Sequence, residues 1–238
     1  MRRLCKFISD YMGVLALLAT ACILTGCFRG CGSSAPEPAP ENSGEVSPAA
    51  PDSVFVSMPI PPEVEARMRG ISYPAHATIP LEDLRYLRLS YVDFEGNPQV
   101  GELVCNKRIA DDLVDIFREL YKARYPIRSI RLIDDYGGKD EASMADDNTS
   151  CFNYRPKSGG RSLSKHALGL AVDVNPLENP YVRGGTVLPA EAGPYVDREQ
   201  TFPHKIDKND LCYKLFRQHG FSWGGSWGPL KDYQHFEK

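Results

Sequence analysis

A chain of 238 residues, 42% hydrophobic and 25% charged with a formal net charge of −3, has the composition of an ordinary soluble domain. It lacks the basic excess that binding to nucleic acid requires, so no nucleic-acid partner is expected. No C-x-x-C pair and no internal repeat occurs, which argues against a cysteine zinc site and a repeat array.

The leader comes first. "MRRLCK" is basic, and Met12 to Leu24 is an apolar run of thirteen residues, too short to span a bilayer comfortably and of the length of a secretory signal core. The run ends in Leu24-Thr25-Gly26-Cys27, which resembles the lipobox of bacterial lipoproteins and implies cleavage before Cys27 followed by its acylation. Residues 1–26 then form a signal peptide, and several acyl chains hold the mature N-terminus on a membrane more firmly than one chain could. This predicts a lipid-anchored, extracytoplasmic protein of the cell envelope, on the periplasmic face. Phe28 stands where an aspartate often accompanies inner-membrane retention, which favours the outer membrane. Loss of Arg2, Arg3, Lys6 and Asp10 with the leader takes the net charge to −5. Residues 27–52, from the lipidated cysteine through a stretch rich in Pro, Ala, Ser and Glu, read as a disordered tether. Four cysteines remain beyond Cys27, namely Cys31, Cys105, Cys151 and Cys212, and their pairing and the oligomeric state are left open.

Folded sequence spans 53–238. "MPIPPEVEARMRGISYP", from Met58 to Pro74, has the proline density of an irregular arm. Leu84 to Cys105 alternates at Leu87, Leu89 and Tyr91 around the turn "EGNP", which predicts a hairpin. Ile109, Leu113, Ile116, Phe117 and Leu120 have helical spacing that ends before Pro126. "IRSIRLID" predicts a strand, and a polar segment without periodicity follows from Asp134 to Ser162, of a length usual for functional or disordered loops. A short strand at Leu170 to Val174, a loop rich in Pro and Gly, and a helix with Leu211, Leu215 and Phe216 on one face come next, with Gly220 as its stop. "FSWGGSW" and "YQHFE" read as strands. Helices and strands do not alternate regularly, which predicts a single α+β domain with a mainly antiparallel sheet flanked by helices.

The chemistry concentrates in "SLSKHALGLAVDVNP", Ser162 to Pro176. A Ser164/His166/Asp173 hydrolase would need an exposed nucleophile on a sharp turn such as G-x-S-x-G, which is missing here. An ordinary strand with a capping serine is a second reading. For a metal site, "LAVDV" alternates as a strand and puts Asp173 beside the small Ala171 in period two, where a buried carboxylate needs a cation or donors. A third ligand is available in Asp232-x-x-His235. Two histidines and one carboxylate suit Zn²⁺ with a position left for water, and a free carboxylate, Asp232 or Glu237, could take that water's proton.

The pattern S-x-H-x-x-G-x-A-x-D at Ser164, His166, Gly169, Ala171 and Asp173, followed by D-x-x-H at Asp232 and His235, resembles the VanY-type zinc D-alanyl-D-alanine carboxypeptidases and the related peptidoglycan peptidases. "DDNTSCFNYR", "DVNPLENPYV" and "WGGSWGPLKDYQHFE" extend the likeness over roughly Leu132 to Lys238. The resemblance implies a Hedgehog/D-Ala-D-Ala peptidase-like fold, with Zn²⁺ on His166, Asp173 and His235. It implies Asp232 as the catalytic acid/base, where the family often has Glu and its endopeptidase-like members have Asp. Glu237 is the reserve base. Arg155 would bind substrate or stabilise the oxyanion, Ser164 would orient substrate, and Trp223 and Trp227 could wall the cleft. The expected substrate is the peptidoglycan stem peptide and the expected activity a D-alanyl-D-alanine carboxypeptidase. An L-alanyl-D-glutamate endopeptidase and a non-hydrolytic wall-binding lipoprotein are the alternatives.

Overall fold

The structure, a computed structural model, describes residues 53–157 and 162–238. The expected signal peptide, Cys27 and the tether therefore lie outside the described residues. Where the proline density suggests an irregular arm, the chain forms a strand, β1 (Phe55–Met58), and a short helix, α1 (Pro62–Met68). Pro62 occupies the first turn of α1, where a missing N–H costs nothing, and Glu63 and Glu65 favour that end electrostatically. Val64 and Met68, four apart, bury one face. Proline here starts a helix instead of preventing one.

Strands β2 (Leu84–Val92) and β3 (Pro98–Asn106) form the expected hairpin, and β1 pairs antiparallel with β2 at its edge. The hairpin is buried on both faces because its alternation serves two partners. Leu87 and Leu89 meet Leu113, Ile116, Phe117 and Leu120 of α2 (Ala110–Lys122), and Leu84 and Tyr86 meet Val64 and Met68 of α1. Each fully buried Leu, Ile or Phe contributes about 1.5–3 kcal/mol.

The strand expected at Ile127 to Asp134 shrinks to β4 (Ser129–Ile130) and gives way to a 3-10 turn at Ile133–Tyr136. A side chain ends it. Asn148 accepts from the Arg131 N–H at 2.8 Å and donates to the Arg131 carbonyl at 3.0 Å, occupying the groups a longer ladder would use. The unpatterned polar segment holds α3 (Asp140–Ala145) and β5 (Asn148–Thr149), which pairs parallel with β4.

The rest of the chain supplies β6 (Ala171–Asp173), β7 (Tyr181–Arg183), β8 (Thr186–Leu188), α4 (Leu211–Gln218), β9 (Ser222–Trp223), β10 (Leu230–Asp232) and β11 (His235–Glu237). The loop rich in Pro and Gly thus contains a β7–β8 hairpin. Antiparallel sheets run β6-β11-β9 and β10-β7-β8, so the strands divide among several small sheets within an α+β architecture. Asp210 caps α4 by accepting from the Cys212 N–H at 2.9 Å, and Gly220 ends it at φ 82° as its position suggests. Cys105, Cys151 and Cys212 are buried free thiols, so no disulfide joins these three.

Candidate metal centre

His166 sits on a single 3-10 turn, His166–Leu168, shaped at both ends. At the start, the Ser164 hydroxyl accepts from the His166 N–H at 3.2 Å. At the end, Gly169 adopts φ 65° and its carbonyl accepts from the Asn106 N–H at 2.8 Å. A Cβ on Gly169 would lie 2.6 Å from that Asn106 nitrogen, so only glycine fits. The chain then enters β6, which delivers Asp173.

Antiparallel pairing of β11 with β6 sets His235 opposite Asp173 and Phe236 opposite Val172. Opposed residues share a face, so one register places Asp173 and His235 together and sends Val172 and Phe236 into the core. Phe236 stacks there on Phe216 with ring centroids 4.2 Å apart.

The three side chains converge. Asp173 Oδ1 lies 2.9 Å from His235 Nδ1, Asp173 Oδ2 lies 3.2 Å from His166 Nε2, and the two imidazole nitrogens are 3.2 Å apart. All three residues are buried, and one ligand atom from each falls within 4.8 Å of the others. His166 Nδ1 donates to the Cys151 carbonyl at 2.6 Å, a bond that leaves the Nε2 lone pair facing Asp173. Burial works against the Asp173 charge, yet the facing imidazoles hold its carboxyl well below the usual range. Burial also opposes a charged His235, but hydrogen bonds to Asp173 and Glu237 raise it to about 10. A convergent nitrogen and oxygen donor set, fixed by backbone register and carrying one firm negative charge, fits a divalent metal.

Asp232 ends β10 opposite Tyr181 of β7, and Gly224 packs so closely on it that a Cβ there would lie 2.5 Å from the Asp232 carbonyl. Its Oδ1 is enclosed without a protein partner. Burial pushes its carboxyl up to about 7, with His235 pulling the other way and the Asp173 charge adding to the rise. That range suits a group that takes and returns a proton near neutrality.

A cavity of about 1220 Å³ opens over the cluster and is bordered by Arg155, Ser164, Asp232 and Glu237 as well as the three convergent residues. Arg155 forms an ion pair with Asp140 at the start of α3, and Asn153 Nδ2 holds Asp140 at 2.7 Å. Ser164 borders the cavity but its hydroxyl serves the His166 turn. Trp227 forms a wall 5.3 Å from the His235 ring, whereas Trp223 belongs to the core and donates to the Tyr233 carbonyl at 2.8 Å. His219 caps α4 and faces Asp112 at 3.1 Å, away from the cluster's residues. Sequence reasoning missed Asp140 and the Cys151 carbonyl. Asp140 lies in a segment with no periodicity, and a backbone acceptor has no residue-type signature.

Residues 158–238 match the family model described as D-alanyl-D-alanine carboxypeptidase. The resemblance drawn from the two motifs holds at the level of that family. The carboxypeptidase match spans about a third of the chain and contains His166, Asp173, Asp232, His235 and Glu237. It begins after Arg155, so the wider likeness from Leu132 is carried by its motifs alone. Comparison with curated proteins and with solved structures finds no match. Over that segment the chain is similar to this peptidase family.

Proposed function

We propose that this chain is a zinc metallopeptidase that hydrolyses peptidoglycan stem peptides, with release of a terminal D-alanine as its first activity. One observation carries the reading: His166, Asp173 and His235 converge within 4.8 Å at a cavity that Asp232 also borders. His166, Asp173 and His235 would hold the ion. Zinc, when bound, supplies a Lewis acid for a scissile carbonyl and lowers the pKa of water. Asp232 then acts as general base toward the attacking water and as general acid toward the leaving amine. Arg155, oriented by Asp140, offers charge-assisted hydrogen bonds to a substrate carboxylate or to the developing oxyanion. Ser164 supports the site through the His166 turn.

The aspartate at 232, one methylene shorter than the glutamate common in the family, favours a second reading as an L-alanyl-D-glutamate endopeptidase. The test is to incubate the full-length protein and zinc with muropeptides carrying pentapeptide stems and to weigh the products. Loss of one alanine supports the carboxypeptidase, and cleavage within the stem supports the endopeptidase. Bound zinc without turnover would reject both in favour of a wall-binding protein. We further propose that acylation of Cys27 anchors the protein extracytoplasmically, supported by the order of basic leader, apolar run and "LTGC".

A further inference from the structure

We infer that Glu237 is a positioning residue, whose carboxylate accepts a hydrogen bond from the Nε2–H of His235 and so fixes the ring with Nδ1 turned to the metal position. The inference rests on the zinc reading above. In strand β11 alternate residues share a face, which puts Glu237 beside His235. Its Oε2 lies 3.2 Å from His235 Nε2. The other nitrogen of the same ring, Nδ1, lies 2.9 Å from Asp173 Oδ1 and 3.2 Å from His166 Nε2.

An imidazole has two nitrogens, and a neutral ring can offer a lone pair from only one. With Nδ1 in the convergent donor set, the proton belongs on Nε2, from which it is donated in a hydrogen bond to Glu237. His166 is held in the same manner with its atoms reversed: Nδ1 is bonded to the Cys151 carbonyl at 2.6 Å and Nε2 faces the cluster. Glu237 is outside the group of convergent ligand atoms, so it does not compete for the ion. Its acceptor is a full carboxylate, in contrast to the neutral carbonyl behind His166. A carboxylate there makes the ring a better donor and fixes its orientation. This assigns Glu237 a role different from that of a reserve base.

The test compares full-length wild type, Glu237→Gln and Glu237→Ala, each checked for native circular dichroism. Zinc dissociation constants come from competition with a chromophoric chelator, and kcat and KM are read at saturating zinc. Glu237→Gln keeps a neutral acceptor and should weaken zinc binding about 10-fold, and Glu237→Ala about 100-fold. The kcat at saturating zinc should fall by a smaller factor than the zinc affinity does. Unchanged zinc affinity in both variants would overturn the inference. So would unchanged affinity with a kcat loss on the order of 10³-fold, since that pattern belongs to a group acting on the substrate. Failure of the wild type to bind zinc would instead overturn the metallopeptidase reading itself.

Discussion

Asp232 and His235 are three residues apart and are assigned different work, which single substitutions separate. Asp232 has an enclosed, unpartnered Oδ1 and a carboxyl raised to about 7, but it stands outside the convergent His166/Asp173/His235 group. Asp232→Ala should therefore retain one zinc per chain by atomic absorption while kcat falls by roughly 10²–10⁴. His235→Ala removes a donor atom and should lose both metal and rate. Zinc lost from Asp232→Ala would make Asp232 a ligand and refute the assignment. These residues were legible because their spacing is local: S-x-H-x-x-G-x-A-x-D is a turn entering a strand, and D-x-x-H spans the end of one strand and the start of the next. Asp140, which holds Arg155, was not legible, because a lone acid in an unpatterned segment reveals nothing until α3 folds against the site.

Two short elements build the centre, and glycine fixes how they meet. Gly169 closes the His166 turn with φ 65° and brings its carbonyl onto Asn106 at the end of β3, tying the site to the hairpin core. An alanine there pays about 1–2 kcal/mol for left-handed backbone alone. Its Cβ, at 2.6 Å from the Asn106 nitrogen, must also displace the strand end. We expect Gly169→Ala to lower unfolding free energy by at least about 2 kcal/mol in urea titration and to weaken zinc binding, because the displaced turn carries His166. Wild-type stability and affinity would show that the turn adapts freely. Strand and helix patterns announced the β2–β3 hairpin, α2 and α4, where period and burial agree. They failed at α1, where prolines masked a helix start, and at β4, where the Asn148 side chain takes over the backbone ladder. Such side-chain substitutions for backbone partners depend on residues distant in sequence.

At the scale of the whole molecule, two predictions concern residues other than the convergent group. The proposed acylation of Cys27 predicts that Cys27→Ser moves the protein from the membrane to the soluble fraction and abolishes labelling by radioactive palmitate; persistent labelling would refute it. The second concerns the part of the pH dependence of folding stability that comes from Asp147 and Glu178. Both are buried, and Asp147 Oδ2 and Glu178 Oε2 lack any protein donor. Burial first, and then the neighbouring Glu178 charge, push Asp147 up to about 8, and burial likewise raises Glu178. A carboxyl raised in the fold binds its proton more tightly there than in the unfolded chain, so its contribution is full below its ordinary value of 3.8 and is lost as pH rises toward about 8. The loss can reach about 1.4 kcal/mol per pH unit for one proton. Asp147→Asn removes that proton while keeping the Oδ1 that accepts from the Leu177 N–H at 2.8 Å, and asparagine tolerates the φ of 52° found there. Its new N–H₂ can donate to Glu178. The stability of Asp147→Asn minus that of wild type should therefore grow between pH 5.5 and pH 8, by about 1 kcal/mol or more in urea titrations of the zinc-free protein. Taking the difference between variants cancels the titrations of Asp173, Asp232 and His235. A difference that stays flat or shrinks with rising pH would show that Asp147 is ionised throughout and that no proton is shared by the pair.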